Sequence, residues 1–256
     1  MFTRRLIGTL GLLALATAAA AQDDKKDAKK GPALPADVVP ATFRAQMVVD
    51  DRFPPKVNPP TKPEDRDPKD RTNKLHCLVC ENGLSPSIGI FVRAPLAAEV
   101  NNQRQLVVGA ESGLAKLIKA TDLLLPKYRG DKLSGFVMFL QLEGGTKLVK
   151  VTQPDGSVVM EELDLEYPDD EKRDVYAKDI KDFSNAVKAT TLPFGLAPVK
   201  SKSTAAWKLG DADDVTVVIF NRLRVVKRWA LKADAIGDEQ VKEILAATES
   251  MITGKK

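Results

Sequence analysis

The sequence predicts an α/β protein in which helices cover both faces of a mixed β-sheet. Short apolar, β-branched runs alternate with segments of helical apolar spacing, an order that builds parallel strand pairs. A strand-turn-strand pattern near the end of the chain adds an antiparallel pair to the sheet. Of the 256 residues, 43% are hydrophobic and 29% are charged, which supports a packed core and excludes a wholly disordered or collagen-like chain.

The first 21 residues predict a secretory signal peptide. Arg4 and Arg5 give a basic start, and Leu6 to Ala18 is a short apolar stretch. Ala19-Ala20-Ala21 then offers the small residues that a signal peptidase recognises, which makes Gln22 the mature N-terminus. An uncleaved anchor is the alternative, but a spanning helix needs about 20 strongly apolar residues and this run is shorter. We expect an exported protein, periplasmic or extracellular, with no transmembrane span in the mature chain.

Residues 22–73 predict a proline-rich, charged leader ahead of the folded domain. Nine of the sixteen prolines fall in this segment. Because proline fixes the backbone and removes a hydrogen-bond donor, we expect extended or irregular chain here. A short apolar patch, Phe43 to Val49, could still dock onto the domain behind it. The predicted domain covers residues 74–256.

The elements of this domain follow from apolar spacing. In chain order they are a strand at 87–92, a helix from Leu114 that stops at Pro126, a strand at 136–140, a helix at 175–189, a strand at 192–196, a hairpin at 215–220 and 223–231, and a closing helix capped by Asp238. Residues 143–170 break the alternation, because Pro154-Asp155-Gly156 separates two alternating runs, as in a β-hairpin. We expect this hairpin to be an insertion.

The charge distribution argues against a nucleic-acid partner. Without Arg4 and Arg5 the basic count falls from 39 to 37 against 35 acidic residues, so the mature net charge is +2. Lysines and acids alternate along most of the chain, whereas a polyanion-binding protein concentrates its basic residues on one face. The densest basic stretch, 222–232, interrupts a strand-like run, where charges protect a sheet edge from aggregation.

Three stretches together with the element order suggest a family. They are Gly83–Phe91, Ala186–Phe194, and Ala206–Gly210 leading into Val215–Phe220. These features resemble the thioredoxin-like superfamily, most closely the redoxin branch of alkyl hydroperoxide reductase and thiol-specific antioxidant proteins, over about residues 74–253. The resemblance implies a three-layer sandwich with a mixed sheet and helices on both faces.

Both active-site marks of that family are missing. Redoxin-type enzymes place a reactive cysteine just after the first strand, at the start of the next helix, and Val92–Glu99 holds no cysteine. Thioredoxins have a cis-proline just before the first hairpin strand, where this chain has Asp214-Val215-Thr216; without proline a cis bond costs about 2.5–4 kcal/mol. We therefore predict a protein that is non-catalytic at the usual site and acts in binding or scaffolding, with another protein as partner.

The remaining candidate site is His76-Cys77-Leu78-Val79-Cys80, which precedes the first strand. Cys-x-x-Cys spacing lets two sulfurs meet within one turn and often lowers the pKa of the first thiol. In the alternative function, a thiol–disulfide oxidoreductase acting on protein thiols, Cys77 or Cys80 attacks, the other cysteine resolves the mixed disulfide, and His76 helps keep the thiolate ionised. A structural disulfide and two inert buried residues are the competing interpretations.

We predict neither a metal nor a cofactor. Zinc needs four ligands, and only the three adjacent residues His76, Cys77 and Cys80 are present. Covalent haem attachment needs a histidine directly after the second cysteine, where Glu81 stands. Asp211, Asp213 and Asp214 lack the glycine and distal glutamate of a calcium loop. The chain has no phosphate-binding glycine loop.

Overall fold

The computed structural model describes residues 42–54, 62, 65–142, 145–153, 156–165 and 170–254. The predicted signal peptide and residues 22–41 of the predicted leader lie outside the described residues. The strands are β1 (Ala45–Val49), β2 (Leu75–His76), β3 (Ser87–Val92), β4 (Ala97–Val100), β5 (Gln103–Leu106), β6 (Ser134–Leu142), β7 (Gly145–Thr152), β8 (Val158–Leu165), β9 (Phe194–Pro198), β10 (Val215–Asn221) and β11 (Arg224–Leu231). The helices are α1 (Leu78–Asn82), α2 (Gly113–Lys127), α3 (Asp170–Val187), α4 (Lys202–Ala206) and α5 (Asp238–Thr253).

Seven of these strands form one mixed sheet in the order β11-β10-β3-β6-β9-β1-β2. β3, β6 and β9 are parallel, and antiparallel pairs extend the sheet on both sides. The helices α2 and α3 make the two crossovers that parallel neighbours require. Together with the hairpin β10–β11 and the closing helix α5, this is the thioredoxin-like fold predicted from the sequence.

Two apolar clusters lie on the two faces of the sheet. Because side chains alternate along a strand, Ile88, Ile90 and Val92 of β3 pack in the first cluster, whereas Phe91 packs in the second. Residues of α2, α3 and α5 cover the first cluster, and α1 with Trp207 covers the second. The three layers of the predicted sandwich follow from this division.

The chain joins the sheet earlier than predicted. Residues 45–49 form β1, between β9 and β2. Phe43 is 1% exposed, and its ring centroid lies 5.1 Å from that of Phe91 in the second cluster. The apolar patch 43–49 therefore docks as a strand of the sheet, so these residues are not an extended leader. The prediction of extended or irregular chain was wrong for these residues because prolines lie on both sides of the strand.

Helix α2 passes through Pro126, where the sequence predicts its end. Proline has no N–H to donate to the carbonyl four residues earlier, that of Asp122. The Thr191 hydroxyl donates to this carbonyl instead, at 2.9 Å. The helix continues to Lys127 because a loop that is remote in sequence supplies the missing donor.

The Asp122 carboxylate also holds the loop before β9 against α2. It is 6% exposed and accepts hydrogen bonds from the backbone N–H groups of Thr190, Thr191 and Leu192 at 3.0, 2.7 and 2.8 Å. The Thr191 hydroxyl oxygen also lies 2.7 Å from the same carboxylate, so its single hydrogen is shared between this carboxylate and the Asp122 carbonyl. One buried side chain thus satisfies the donors at the point where the chain enters β9.

Two hairpins stand outside the seven-stranded sheet. The predicted insertion is the antiparallel pair β7–β8. Its turn residues Pro154 and Asp155 lie outside the described residues, and Gly156 has a φ of +83°, which favours glycine. The pair β4–β5, between β3 and α2, was not predicted, because the residues of β5 are polar and show no alternation.

The basic stretch 222–232 lies at a sheet edge, as predicted from the sequence. It falls on β11, an edge strand of the seven-stranded sheet. Lys227 and Lys232 of this stretch pair with Glu243 and Asp214 at 2.9 and 3.3 Å, so part of its charge is compensated locally. Within the described ranges, none of the helices is long and apolar enough to cross a membrane.

We expect Asp122→Ala to lower the free energy of unfolding by about 3 kcal/mol or more, because buried donors lose their acceptor. The measurement is urea unfolding followed by circular dichroism. Asp131→Ala is the matched control, since Asp131 is exposed in the turn after α2, and it should change stability little. Equal effects of the two substitutions would contradict the role assigned to Asp122.

Candidate functional site

Cys77 and Cys80 form a disulfide at the start of α1. Cys77 follows β2 directly and is the N-cap of the helix, and its Sγ accepts a hydrogen bond from the backbone N–H of Cys80 at 3.2 Å. Residues three apart on a helix lie on the same side, so the two Cα atoms are 5.3 Å apart, within the usual range for a disulfide. The spacing that the sequence analysis singled out therefore brings the two sulfurs together.

The disulfide lies at the surface on an anchored backbone. Cys80 is exposed and Cys77 is partly buried. Leu78 and Val79, between them, are 0% and 2% exposed and pack in the second cluster. A reagent can therefore reach Cys80 without unfolding α1, and of the competing interpretations, the one with two buried cysteines is wrong for Cys80.

His76 takes part in a chain of polar and charged groups beside the disulfide. Its Nε2 lies 2.7 Å from Oε2 of Glu81, and Oε1 of Glu81 lies 3.8 Å from the guanidinium of Arg52. Arg52 in turn donates two hydrogen bonds to the buried carboxylate of Asp50 at 2.7 and 2.8 Å. The chain links α1 to the turn after β1.

The structure pairs the His76 ring with Glu81, and the predicted role of His76 toward a thiolate stays a prediction. Burial alone would lower the pKa of Arg52, but its hydrogen bonds to Asp50 and the charge of Glu81 raise it. Arg52 therefore remains a cation and supports the charge of Glu81. Sequence reasoning missed Glu81 as a partner, although it lies one helical turn after Cys77.

The usual catalytic position of the resembled family lies at the other end of β3. The stretch 92–99, where the resembled family carries its reactive cysteine, runs into β4, and the next helix begins at Gly113, close to the predicted start at Leu114. Its N-cap is Ser112, so this position also has no thiol. A Cβ on Gly113 would overlap the carbonyl of Ile236, which leaves no room for a larger side chain there.

Arg93 fills the same edge of the sheet. Its side chain is 14% exposed, and its guanidinium donates to the carbonyls of Val199 and Leu209 at 3.5 and 3.4 Å. The backbone N–H groups of Arg93 and Ala94 both donate to the carbonyl of Asp214, at 2.7 and 3.1 Å. These bonds tie the end of β3 to the segment before β10.

The three aspartates of the segment 211–214 each face a separate cation. Asp211 lies 3.6 Å from Arg93, Asp213 lies 3.7 Å from Arg228, and Asp214 lies 3.3 Å from Lys232. Such pairing holds the carboxylates apart instead of gathering them around one ion. In the part of the chain that the structure describes, no three His, Cys, Asp or Glu side chains are grouped so that they could hold a metal.

No model of a known protein family matches the sequence, and no curated protein matches it. Solved structures of similar shape include a protein described as a thiol:disulfide interchange protein DsbE from Chlorobium tepidum, at 10% identity and a TM-score of 0.43, over 84% of this chain and 99% of that one. Peroxidoxin BcpB from Mycobacterium tuberculosis is 10% identical, with a TM-score of 0.42, over 85% of this chain and 98% of that one.

An uncharacterized conserved protein from Geobacillus kaustophilus is 13% identical, with a TM-score of 0.44, over 87% of each chain. At these identities and TM-scores the likeness carries no argument about activity.

We expect reduction of the Cys77–Cys80 bond to lower the free energy of unfolding by about 2 kcal/mol, because the bond closes a ring of only four residues. Urea unfolding with and without dithiothreitol measures the difference. The double variant Cys77→Ser, Cys80→Ser is the control and should not respond to the reductant. Loss of the fold on reduction would show that the bond is needed to hold the domain together.

Proposed function

We propose that this is an exported thioredoxin-like protein that acts by binding another protein, without catalysis where redoxin-type enzymes carry their thiol. The start of α2 supports the absence of catalysis at the usual site. Ser112 and Gly113 supply no thiol there, and the carbonyl of Ile236 lies against the glycine. The pattern of residues 1–21 supports export. A disulfide between Cys77 and Cys80 fits an oxidising compartment.

The hairpin β7–β8 supports the proposal that this protein binds another protein. Three consecutive apolar residues of β8 are exposed: Val158 by 59%, Val159 by 38% and Met160 by 53%. The hairpin forms a two-stranded sheet of its own, and an isolated hairpin gains little stability alone. Because successive side chains of a strand point to opposite faces, Val158 and Met160 lie on one face of the hairpin and Val159 on the other. Neighbouring exposed apolar residues of this kind are typical of surfaces that bind other proteins.

We expect a photo-reactive amino acid at Val159 to cross-link one discrete partner protein in the cells that make this protein. Glu111, exposed before α2, is the control position and should give no discrete adduct. Denaturing gel electrophoresis of fractionated cells, followed by mass spectrometry, measures both the adduct and its compartment.

Two failures of this experiment can be told apart. A monomer without an adduct at position 159 would contradict binding through the hairpin. Recovery of the protein in the cytoplasm, with or without an adduct, would contradict export.

A second candidate function is thiol–disulfide exchange at Cys77–Cys80, favoured by the exposure of Cys80. A thiolate of a reduced protein attacks Sγ of Cys80, the Cys77–Cys80 bond breaks, and Cys77 leaves as a thiolate. A second thiolate of the same protein then attacks the mixed disulfide and releases Cys80. The other protein loses two electrons and gains a disulfide, and the Cys77–Cys80 pair is reduced.

On this second proposal we expect the wild-type protein to accelerate the reduction of insulin by dithiothreitol, in the reverse direction of the same exchange. Cys77→Ser should remove the acceleration, because the remaining cysteine cannot resolve a mixed disulfide. Turbidity of the released insulin chains is the measurement. Equal rates for the wild type, Cys77→Ser and dithiothreitol alone would exclude exchange at this pair.

A further inference from the structure

A cleft of about 470 Å³ opens beside the start of β6. Its walls come from the turn after β1, the end of α2, the first residues of β6 and the loop before β9. Its size lies within the range of small-molecule sites, about 300–1,000 Å³. It lies at the amino-terminal end of the parallel strands, opposite the end at which ligands usually bind in sheets of this kind, so it is separate from the edge filled by Arg93.

Two lining residues of opposite charge form no hydrogen bond or ion pair with any other described residue. Asp51 and Arg129 line the cleft, and within the described parts of the chain neither side chain has a hydrogen bond or an ion pair, with each other or with any other group. Partial burial, and then the charges of Asp50 and Asp122, raise the pKa of Asp51, and Lys181 opposes them.

The other charged groups around the cleft are already satisfied. Arg52 is engaged by both oxygens of Asp50, and the Asp122 carboxylate is occupied by the backbone of residues 190–192. Asp51 and Arg129 are both exposed and are accessible to a ligand. A ligand that pairs with both would bring an ammonium group to Asp51 and an anionic group to Arg129.

The rest of the lining favours an apolar group between the two charges. Leu125 and Leu133 are 8% and 7% exposed, and together with Pro126 they line the cleft. The ring of Phe53 is already faced by cations, with the Arg52 guanidinium 5.3 Å and the Lys69 ammonium 5.9 Å from its centroid. Pro126, which is exposed, together with the small exposed parts of the two leucines, is thus the apolar surface left for a ligand.

We propose that this cleft binds a small zwitterion of the α-amino-acid class, with its ammonium group at Asp51, its carboxylate at Arg129 and an apolar side chain against Leu125 and Pro126. A guanidinium and a carboxylate form a strong, directional pair. An ammonium group has three N–H donors, which the acceptor oxygens of a carboxylate can bind. This site goes beyond the proposed function and does not depend on the hairpin or on the disulfide.

The test is isothermal titration calorimetry of the purified protein at neutral pH with three probes. L-Leucine carries both charges, N-acetyl-L-leucine lacks the ammonium group, and L-leucinamide lacks the carboxylate. We expect L-leucine to bind saturably and each blocked analogue to bind at least about tenfold more weakly, because each leaves one charged group of the cleft without its partner.

Two variants assign the charges to the residues. In Asp51→Asn, L-leucine should lose its advantage over N-acetyl-L-leucine, and in Arg129→Gln it should lose its advantage over L-leucinamide. Glu111→Gln and Arg44→Gln, which change exposed charges outside the cleft, should leave all affinities unchanged. Circular dichroism verifies that each variant is folded, as expected for substitutions of exposed residues.

Two results would overturn the proposal. One is the absence of saturable binding of L-leucine up to about 10 mM, where even a weak site would be filled. The other is equal binding of the three probes, which would show that neither charge of the ligand is recognised. Both results are independent of cross-linking at Val159 and of insulin reduction.

Discussion

The burial of β3 on both faces is the constraint on which the rest of the fold depends. All six of its residues are buried, so apolar layers must cover it above and below. A parallel partner on one side requires the crossover helix α2, and an antiparallel partner on the other brings in the hairpin β10–β11. Gly89 adds a local requirement: a Cβ there would lie 2.8 Å from the ring of Phe136, so glycine makes room for the aromatic side chains of the second cluster.

Elements with a strong apolar period could be predicted from the sequence, and elements defined by distant partners could not. β3, β6, the hairpin β10–β11 and α5 bury regular sets of side chains, which local spacing reveals. β1 was missed as a strand because its pairing with β9 outweighs the prolines around it. The sequence predicted the end of α2 too early, because the donor that compensates for Pro126 comes from Thr191. No local sequence pattern predicts such a contact.

In the candidate site, too, local spacing could be predicted from the sequence, whereas contacts with distant residues could not. The spacing of Cys77 and Cys80 predicts that their sulfurs can meet, but the exposure of Cys80 depends on how α1 packs on the sheet. The contact of Glu81 with Arg52, at 3.8 Å, joins residues far apart in the sequence. Arg52 belongs to the chain of polar and charged groups beside the disulfide and also lines the cleft, so the two candidate sites share this residue.

At the edge where redoxin-type enzymes carry their thiol, two features of this chain accompany the missing cysteine that the sequence analysis noted. A catalytic thiol there would need an open helix N-terminus to stabilise its thiolate. The start of α2 instead meets the carbonyl of Ile236, whose partial negative charge and bulk both oppose an anion at that place. Arg93, bonded to the carbonyls of Val199 and Leu209, holds the facing segments together. A single serine-to-cysteine change at Ser112 would therefore restore a sulfur without restoring the surroundings that make it reactive.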